Sequence, residues 1–327
     1  MGRMFIEPCT ATAMLSAAAE PTPPQPPWPP ALTLPSTRTR LTLRMQAPVR
    51  LPDYAGSAWR GVLGHALRRH YCVTGLSACP PCPIYRRCRY VYQFETPPDP
   101  DGSKLRRYTA APHPFVIEPL PGARELAAGD TTGFSLLLIG QAQRHLPDWV
   151  QAAAAAGRRG LGSDQAPFEV QDASSDEGVE AALVPTHTQA ATDTDCDIRI
   201  ELLTPLRLYQ ARRLVGPAEF SFGAFFSTLL RRISLLSHFH TATPLEMDFR
   251  AAVAAGRAVQ LADSALRWHD WSRASTRQRR RIPMGGLIGS FTARRVPVGM
   301  LPLLRVGERV HVGKGASMGL GRYRLGS

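Results

Sequence analysis

GSAWRGVLGHALRRHY, residues 56–71, decides how the first half of the chain folds. Trp59, Val62, Leu63, Ala66, Leu67 and His70 recur three and four residues apart and form one apolar stripe. Arg60, Gly61, Gly64, His65, Arg68 and Arg69 take the other side. The spacing predicts an amphipathic helix with a basic outer face, its backbone opened by two glycines. Upstream, Arg40–Ala47 (RLTLRMQA) alternates apolar and polar residues as a half-buried strand does. Downstream come a cysteine-bearing stretch and predicted strands at Tyr90–Phe94, Phe115–Glu118 and Thr132–Gly140. An Ala-rich helix then closes over Gln151–Gly157.

The second half repeats the order. Asp197–Leu208 alternates as a strand, and Phe220–His238 sets Phe222, Phe225, Phe226, Leu229, Ile233 and Leu236 on one helical face. Strands are predicted near Ala265–Trp271, Leu287–Arg294 and Tyr323–Leu325. Strand, helix and strands given twice predict an α+β protein of two tandem ferredoxin-like (RRM-like) βαββαβ domains. The expected boundaries are a disordered Pro-rich tail at 1–31, whose Glu20–Pro30 reads EPTPPQPPWPP, and a first domain at 32–171. That domain carries the cysteine insertion at 72–88. An acidic linker at 172–196 and a second domain at 197–327 complete the chain.

Lys and Arg number 39 against 26 Asp and Glu, a formal net charge of +13. Arg supplies nearly all of the surplus, and its planar fork suits phosphate oxygens and base faces, so an anionic partner is expected. No apolar run is long enough to cross a membrane. Glu7 and Pro8 interrupt any signal-peptide core, and Ile6 breaks the myristoylation pattern. A cytoplasmic protein with reduced thiols and no membrane partner is expected.

Gly313, Gly315, Gly319 and Gly321 punctuate GKGASMGLG, residues 313–321. A P-loop is excluded, because Gly307 stands one residue too far from Gly313 and Gly315 occupies the hydroxyl position. The dinucleotide fingerprint fails on its last spacing. A loop of this kind still lets backbone N–H groups approach a polyanion, with Lys314, Arg322 and Arg324 adding charge; a plain glycine-rich turn before an edge strand reads equally well.

HVGKGASMGLGRYRL, residues 311–325, resembles the C-terminal glycine-rich motif of the RAMP superfamily, the repeat-associated proteins of CRISPR systems. YAGSAWRGVLGHAL (54–67) is similar to the first helix of that superfamily's CRISPR repeat-processing endoribonucleases. CVTGLSACPPCPIYRRCRYVYQFETP (72–97) resembles their cysteine-bearing insertion. HPFVIE (113–118), LLRRISLLSHFHTATPLEMD (229–248) and PMGGLIGSFT (283–292) extend the likeness over both halves. The resemblance implies a pair of ferredoxin-like domains. It also implies metal-independent cleavage of CRISPR repeat RNA on the 3′ side of its stem-loop, the product being kept within an effector complex beside its backbone subunits. Two alternatives stay open: a non-catalytic RAMP subunit that binds guide RNA, and an unrelated zinc-stabilised nucleic-acid-binding module.

Metal-free RNA cleavage needs a base for the 2′-hydroxyl, an acid for the leaving 5′-oxygen and cations for the transition state. His65 is the first candidate, with Arg68 and Arg69 three and four residues on and therefore adjacent. His240, after the second helix, is a further catalytic candidate. Expected RNA contacts are Arg60, the run Arg277, Arg279, Arg280 and Arg281 as a grip on the stem, and His311, Gly313, Lys314, Gly315, Ser317, Gly319, Gly321 and Arg322. No cofactor is expected for catalysis. Cys72, Cys79, Cys82 and Cys88 follow C-x6-C-x2-C-x5-C, a spacing open to a structural zinc site, to unliganded thiols or to a redox pair.

Overall fold

The computed structural model describes residues 27–29, 32–98, 110–122, 124–162, 164–175, 182–183, 195–275 and 280–326. The first half is built from β1 (Ser36–Met45), α1 (Gly56–Tyr71), β2 (Phe115–Pro119), β3 (Thr131–Ile139), α2 (Leu146–Gly157) and β4 (Phe168–Ser175). The sheet order is β2-β3-β1-β4, with every pair antiparallel. In the second half, β5 (Asp195–Leu206), α3 (Phe222–His240), α4 (Phe249–Ala258), β6 (Gln260–Ala262), β7 (Arg267–His269), β8 (Gly286–Pro297), α5 (Leu301–Val310) and β9 (Tyr323–Gly326) follow. There β6 and β7 share one side of β8, and the order runs on through β5 to β9. Both sheets thus have the ferredoxin-like order, second strand, third, first, fourth, and the chain is two such α+β domains in tandem.

Each core follows from the sequence periodicity. Trp59, Leu63, Ala66 and Leu67 of α1 are buried against Phe134, Phe168 and Trp149. Phe222, Phe225, Phe226, Leu229, Ile233 and Leu236 of α3 fill the second core with Phe291 and Tyr323. The Ser221 hydroxyl caps α3 by accepting from Ala224 N–H. Arg68, Arg69 and His70 lie in the last turn of α1, where its dipole favours positive charge.

Five sequence expectations change. Tyr90–Phe94 is not a strand: Val91–Glu95 forms a π-helical turn that the chain leaves through left-handed Thr96. Alternating aromatics favour a strand, but here the wide turn buries Val91, Gln93 and Phe94 on one side, with Trp149 Nε1 donating to Gln93 Oε1. Asp172–Ser175, assigned to the linker, extends β4 along Thr39–Thr42 of β1. Trp28, assigned to the disordered tail, meets the Phe226 ring edge-on at 6.4 Å. His70 is exposed and leaves the apolar stripe to Leu67 and Ala66, while Gly64, read as open backbone, is buried under Phe94.

Candidate active site and nucleic-acid interface

The glycine-rich segment is first of all a joint between the domains. Its Ala316–Met318 forms one 3-10 turn, flanked by Gly315 and Gly319 with φ of 89° and 83°. These left-handed values favour glycine. A side chain at Gly319 would lie 2.7 Å from Ile117 O of β2, and one at Gly56 of α1 would lie 2.0 Å from Met318 O. The close approach is therefore of protein backbone to protein backbone, which spacing alone could not distinguish from an RNA cradle. Lys314 is exposed and Gly313, Gly315, Ser317 and Arg322 are partly so, whereas Gly319, Gly321 and His311 are buried.

His311, expected to touch RNA, is 0% exposed and donates from Nε2 to Glu118 Oε1 at 2.9 Å. Glu118, on β2, also meets Arg38 at 2.8 Å and Arg322 at 3.9 Å. Although burial alone would raise its pKa, the His311 hydrogen bond and the charges of Arg38 and Arg322 hold it below the usual carboxylate value. The buried carboxylate thus gathers groups from both domains, and His311 acts in that joint instead of at the surface.

His240 is likewise buried. Its Nε2 donates to Pro112 O at 2.8 Å and its Nδ1 accepts from Tyr92 Oη at 3.3 Å. It ties the end of α3 to the first domain and offers no ring nitrogen to a substrate, so the structure removes it from the catalytic candidates. Nearby, His113 donates from Nδ1 to Thr96 Oγ1 at 2.9 Å and accepts from Arg60 at Nε2 (3.2 Å). Burial is the main cause that pushes His113 down to about 3 and His240 down to about 4. Both rings are neutral in the fold but charge in the unfolded chain below the ordinary imidazole value of about 6.5. Their contribution to stability is whole above about pH 6.5 and declines as pH falls towards those depressed values. Urea unfolding is expected to show lower stability at about pH 5 than at about pH 7, and His240→Gln is expected to flatten part of that slope. An equal slope in the variant would refute the assignment.

Arg60 lies over the Phe94 ring at 5.1 Å and the Phe115 ring at 6.0 Å. Burial is the main cause lowering its pKa, and Arg273 of the second domain adds to the fall. The Nε atoms of Arg60 and Arg273 are buried without a hydrogen-bond partner. Arg60 and Arg273, from different domains, thus lie near each other at the junction, each with a buried donor that lacks a protein partner. Arg273 carries no sequence signal of its own, because only the fold brings it to α1.

His65 stands exposed on α1. Burial of its ring and the charges of Arg69, Arg68 and Arg159 lower its pKa, so the imidazole is neutral at neutral pH. Arg159 comes from the connection between α2 and β4, and no spacing in the sequence links it to His65. Gly61, one turn before, is exposed, and a side chain there would meet nothing within 4 Å, so the helix surface is open at that point. Arg68 is already engaged: its Nη2 donates to Leu76 O at 2.6 Å and Ser77 O at 2.8 Å. Its role is to tether the cysteine loop, leaving Arg69 and Arg159 as the guanidiniums beside His65. His65, Arg69, Cys72, Gly75 and Ser77 line one open groove.

Arg277 and Arg279 of the basic run lie outside the described residues. Arg280 and Arg281 begin the second strand of a hairpin, Ser272–Ser275 with Arg280–Pro283, and Arg281 is exposed. The base of this hairpin reaches the first domain, where Tyr54 packs on Trp271 at 4.9 Å and His269 at 5.9 Å. Cys72, Cys79, Cys82 and Cys88 are free thiols that line one small cavity. No helix among the described residues is long and apolar enough to cross a membrane.

Residues 200–323 match the family model of the CRISPR-associated endoribonuclease Cas6, and residues 34–194 match a family model described as an N-terminal domain. No curated protein matches the chain by sequence. Among solved structures, a Cas6 product complex (TTHB231, of Thermus thermophilus) is similar over 89% of this chain and 99% of its own, with TM-score 0.53 and 16% identity. A partial Cas6-RT-Cas1–Cas2 complex is similar over 91% of this chain, with TM-score 0.55 and 14% identity, and this chain spans 47% of the length of that one. At these identities the structures establish a shared fold, while the family model bears on the activity. The second domain is thus similar to the CRISPR-associated endoribonuclease Cas6, and the chain as a whole shares the fold of the Cas6 structures.

Proposed function

We propose that the chain binds CRISPR repeat RNA and cuts it without a metal, using the 2′-hydroxyl beside the scissile phosphate as nucleophile. The observation that carries this reading is a neutral, exposed imidazole set among guanidiniums on an open helix face. His65 removes the 2′-hydroxyl proton, the 2′-oxygen bonds to phosphorus, and the bond to the 5′-oxygen breaks. The proton then returns from the imidazolium to the leaving 5′-oxygen through one water, leaving a 2′,3′-cyclic phosphate. Arg69 and Arg159 neutralise charge on the pentavalent phosphorus, with Arg68 holding the groove wall. Arg60 and Arg273 receive phosphates at the domain junction, and the Arg277–Arg281 run grips the stem by its backbone. Such a grip retains the product, which places the protein beside the backbone subunits of a CRISPR effector complex. The similar Thermus thermophilus Cas6 structure is itself a product complex, in keeping with retention.

The test is repeat RNA mixed with the full chain and EDTA added at the moment of mixing. All-ribose RNA should be cut, and RNA carrying a 2′-deoxy nucleotide at the cut site should bind equally and stay whole. Cleavage of the deoxy substrate would refute 2′-hydroxyl attack, and prompt loss of cleavage in EDTA would refute metal independence. Replacing Arg279, Arg280 and Arg281 with Ala should weaken binding and reduce the log–log salt slope by about one unit for each phosphate no longer gripped. Unchanged affinity and slope would remove the stem grip.

A further inference from the structure

We propose that Cys72, Cys79, Cys82 and Cys88 together bind one structural zinc ion, which fixes the loop at residues 72–88 against the basic end of α1. The inference stands on the thiols and their surroundings and is independent of the cleavage chemistry.

All four sulfurs belong to residues lining a single cavity of about 20 Å³, a volume suited to one small occupant. The Cys79–Cys82 pair forms a tight turn: Cys82 N–H donates to Cys79 O, and Tyr85 N–H donates to Cys82 O, each at 2.9 Å. This turn presents two thiols from one bend, as structural zinc sites use the C-x2-C spacing. Cys72 arrives from the end of α1 and Cys88 from beyond the short helical turn Tyr85–Arg87, so the four ligands approach from three separate segments.

A second observation points to an ion. The Thr74 hydroxyl stands 3.9 Å from Cys72 Sγ and 3.5 Å from Cys82 Sγ, bridging two of the thiols. Donors turned towards sulfur are the outer-shell contacts that orient and stabilise a coordinating thiolate. Arg68 supplies positive charge beside Cys72 and Cys79 while its guanidinium grips Leu76 O and Ser77 O. A zinc ion with four thiolates carries a net double negative charge, which the neighbouring Arg68 partly offsets.

Beyond the Arg68 tether and the Cys79–Cys82 turn, apolar packing does little to hold the loop. Residues 73–78 are exposed, and Val73 (81%), Leu76 (42%) and Ile84 (39%) leave their apolar side chains outside. So little apolar burial fixes a short segment poorly, and a metal clip is the usual remedy. Among the described residues, no three His, Cys, Asp or Glu side chains already stand at metal-holding distance. Binding therefore requires the four thiols to move closer together. The step forms four Zn–S bonds and releases four thiol protons to solvent, with no change in oxidation state.

The experiment is elemental analysis and thiol counting on the full chain, purified without added metal or chelator. One zinc per chain is expected, with these four thiols silent towards a thiol reagent until a mercurial displaces the ion. Cys82→Ser should lower the zinc content to near zero, whereas Cys79→His, which keeps a tetrahedral ligand, should retain it. Far-UV circular dichroism of both variants separates metal loss from global unfolding. A zinc-free chain with four reactive thiols would overturn the proposal, as would a coloured iron–sulfur chromophore or a disulfide among the four.

Discussion

Replacing His65 with Ala is expected to slow repeat-RNA cleavage by about 10²–10⁴-fold, the range typical of a positioned acid–base group, while binding changes little. His65 is one polar ring on an exposed helix face, whereas binding spreads over several guanidiniums. Burial, then Arg69, Arg68 and Arg159 keep the ring's pKa below its ordinary value, so its base form persists into mildly acidic solution. The acid limb of the single-turnover rate should accordingly lie below the ordinary imidazole titration and vanish in the variant. Arg159→Ala should raise the ring's pKa and move that limb upward, with smaller loss of rate than His65→Ala. Single-turnover kinetics against pH, beside a binding isotherm, measures both. Undiminished cleavage by the His65 variant would move the chemistry elsewhere, with the junction formed by Arg60 and Arg273 as the first place to search.

Glu118→Ala should destabilise the folded chain by about 3–5 kcal/mol, the cost of removing one partner from a buried charged cluster. The substitution leaves His311 without its acceptor and turns Arg38 and Arg322 towards a site that no longer compensates them. Because those partners come from both domains, the loss should appear as separation of two unfolding transitions as well as a lower midpoint. Glu118→Gln keeps an acceptor for His311 but no charge, so it should fall between the two. Urea titration followed by fluorescence gives the midpoints. An Ala variant within about 1 kcal/mol of the parent would mean that the apolar contacts alone hold the domains together.

Much of the fold was legible because its elements are amphipathic. The stripe of α1 marked both of its ends, and the phenylalanine face of α3 was placed within two residues. What periodicity could not show was competition settled by tertiary contacts. Val91–Glu95 has strand-like composition, yet Trp149 and Phe115 reward a turn that buries Phe94. The catalytic candidates divided in the same way. His65 was readable from its helix face, but nothing local distinguishes His240 or His311 from exposed histidines. Their partners, Pro112, Tyr92 and Glu118, lie far away in sequence. Arg159 and Arg273 join the site only through packing, so no motif could have announced them. The glycine-rich segment was singled out as a loop that holds RNA, whereas in the fold its glycines serve the meeting of two backbones.

The two domains make the same connection, from second helix to fourth strand, and the copies differ in how much change they can absorb. In the second domain that connection is pressed between the domains, where an added side chain or residue would strike backbone. In the first it runs from Arg158 to Pro167, and Gly162, Asp164 and Gln165 at its tip are exposed. A fluorophore or affinity tag grafted at that tip would leave both sheets intact and ride a short distance from Arg159. The first copy is thus the natural place to attach a reporter for RNA arrival, whereas the glycines of the second leave no room for added side chains.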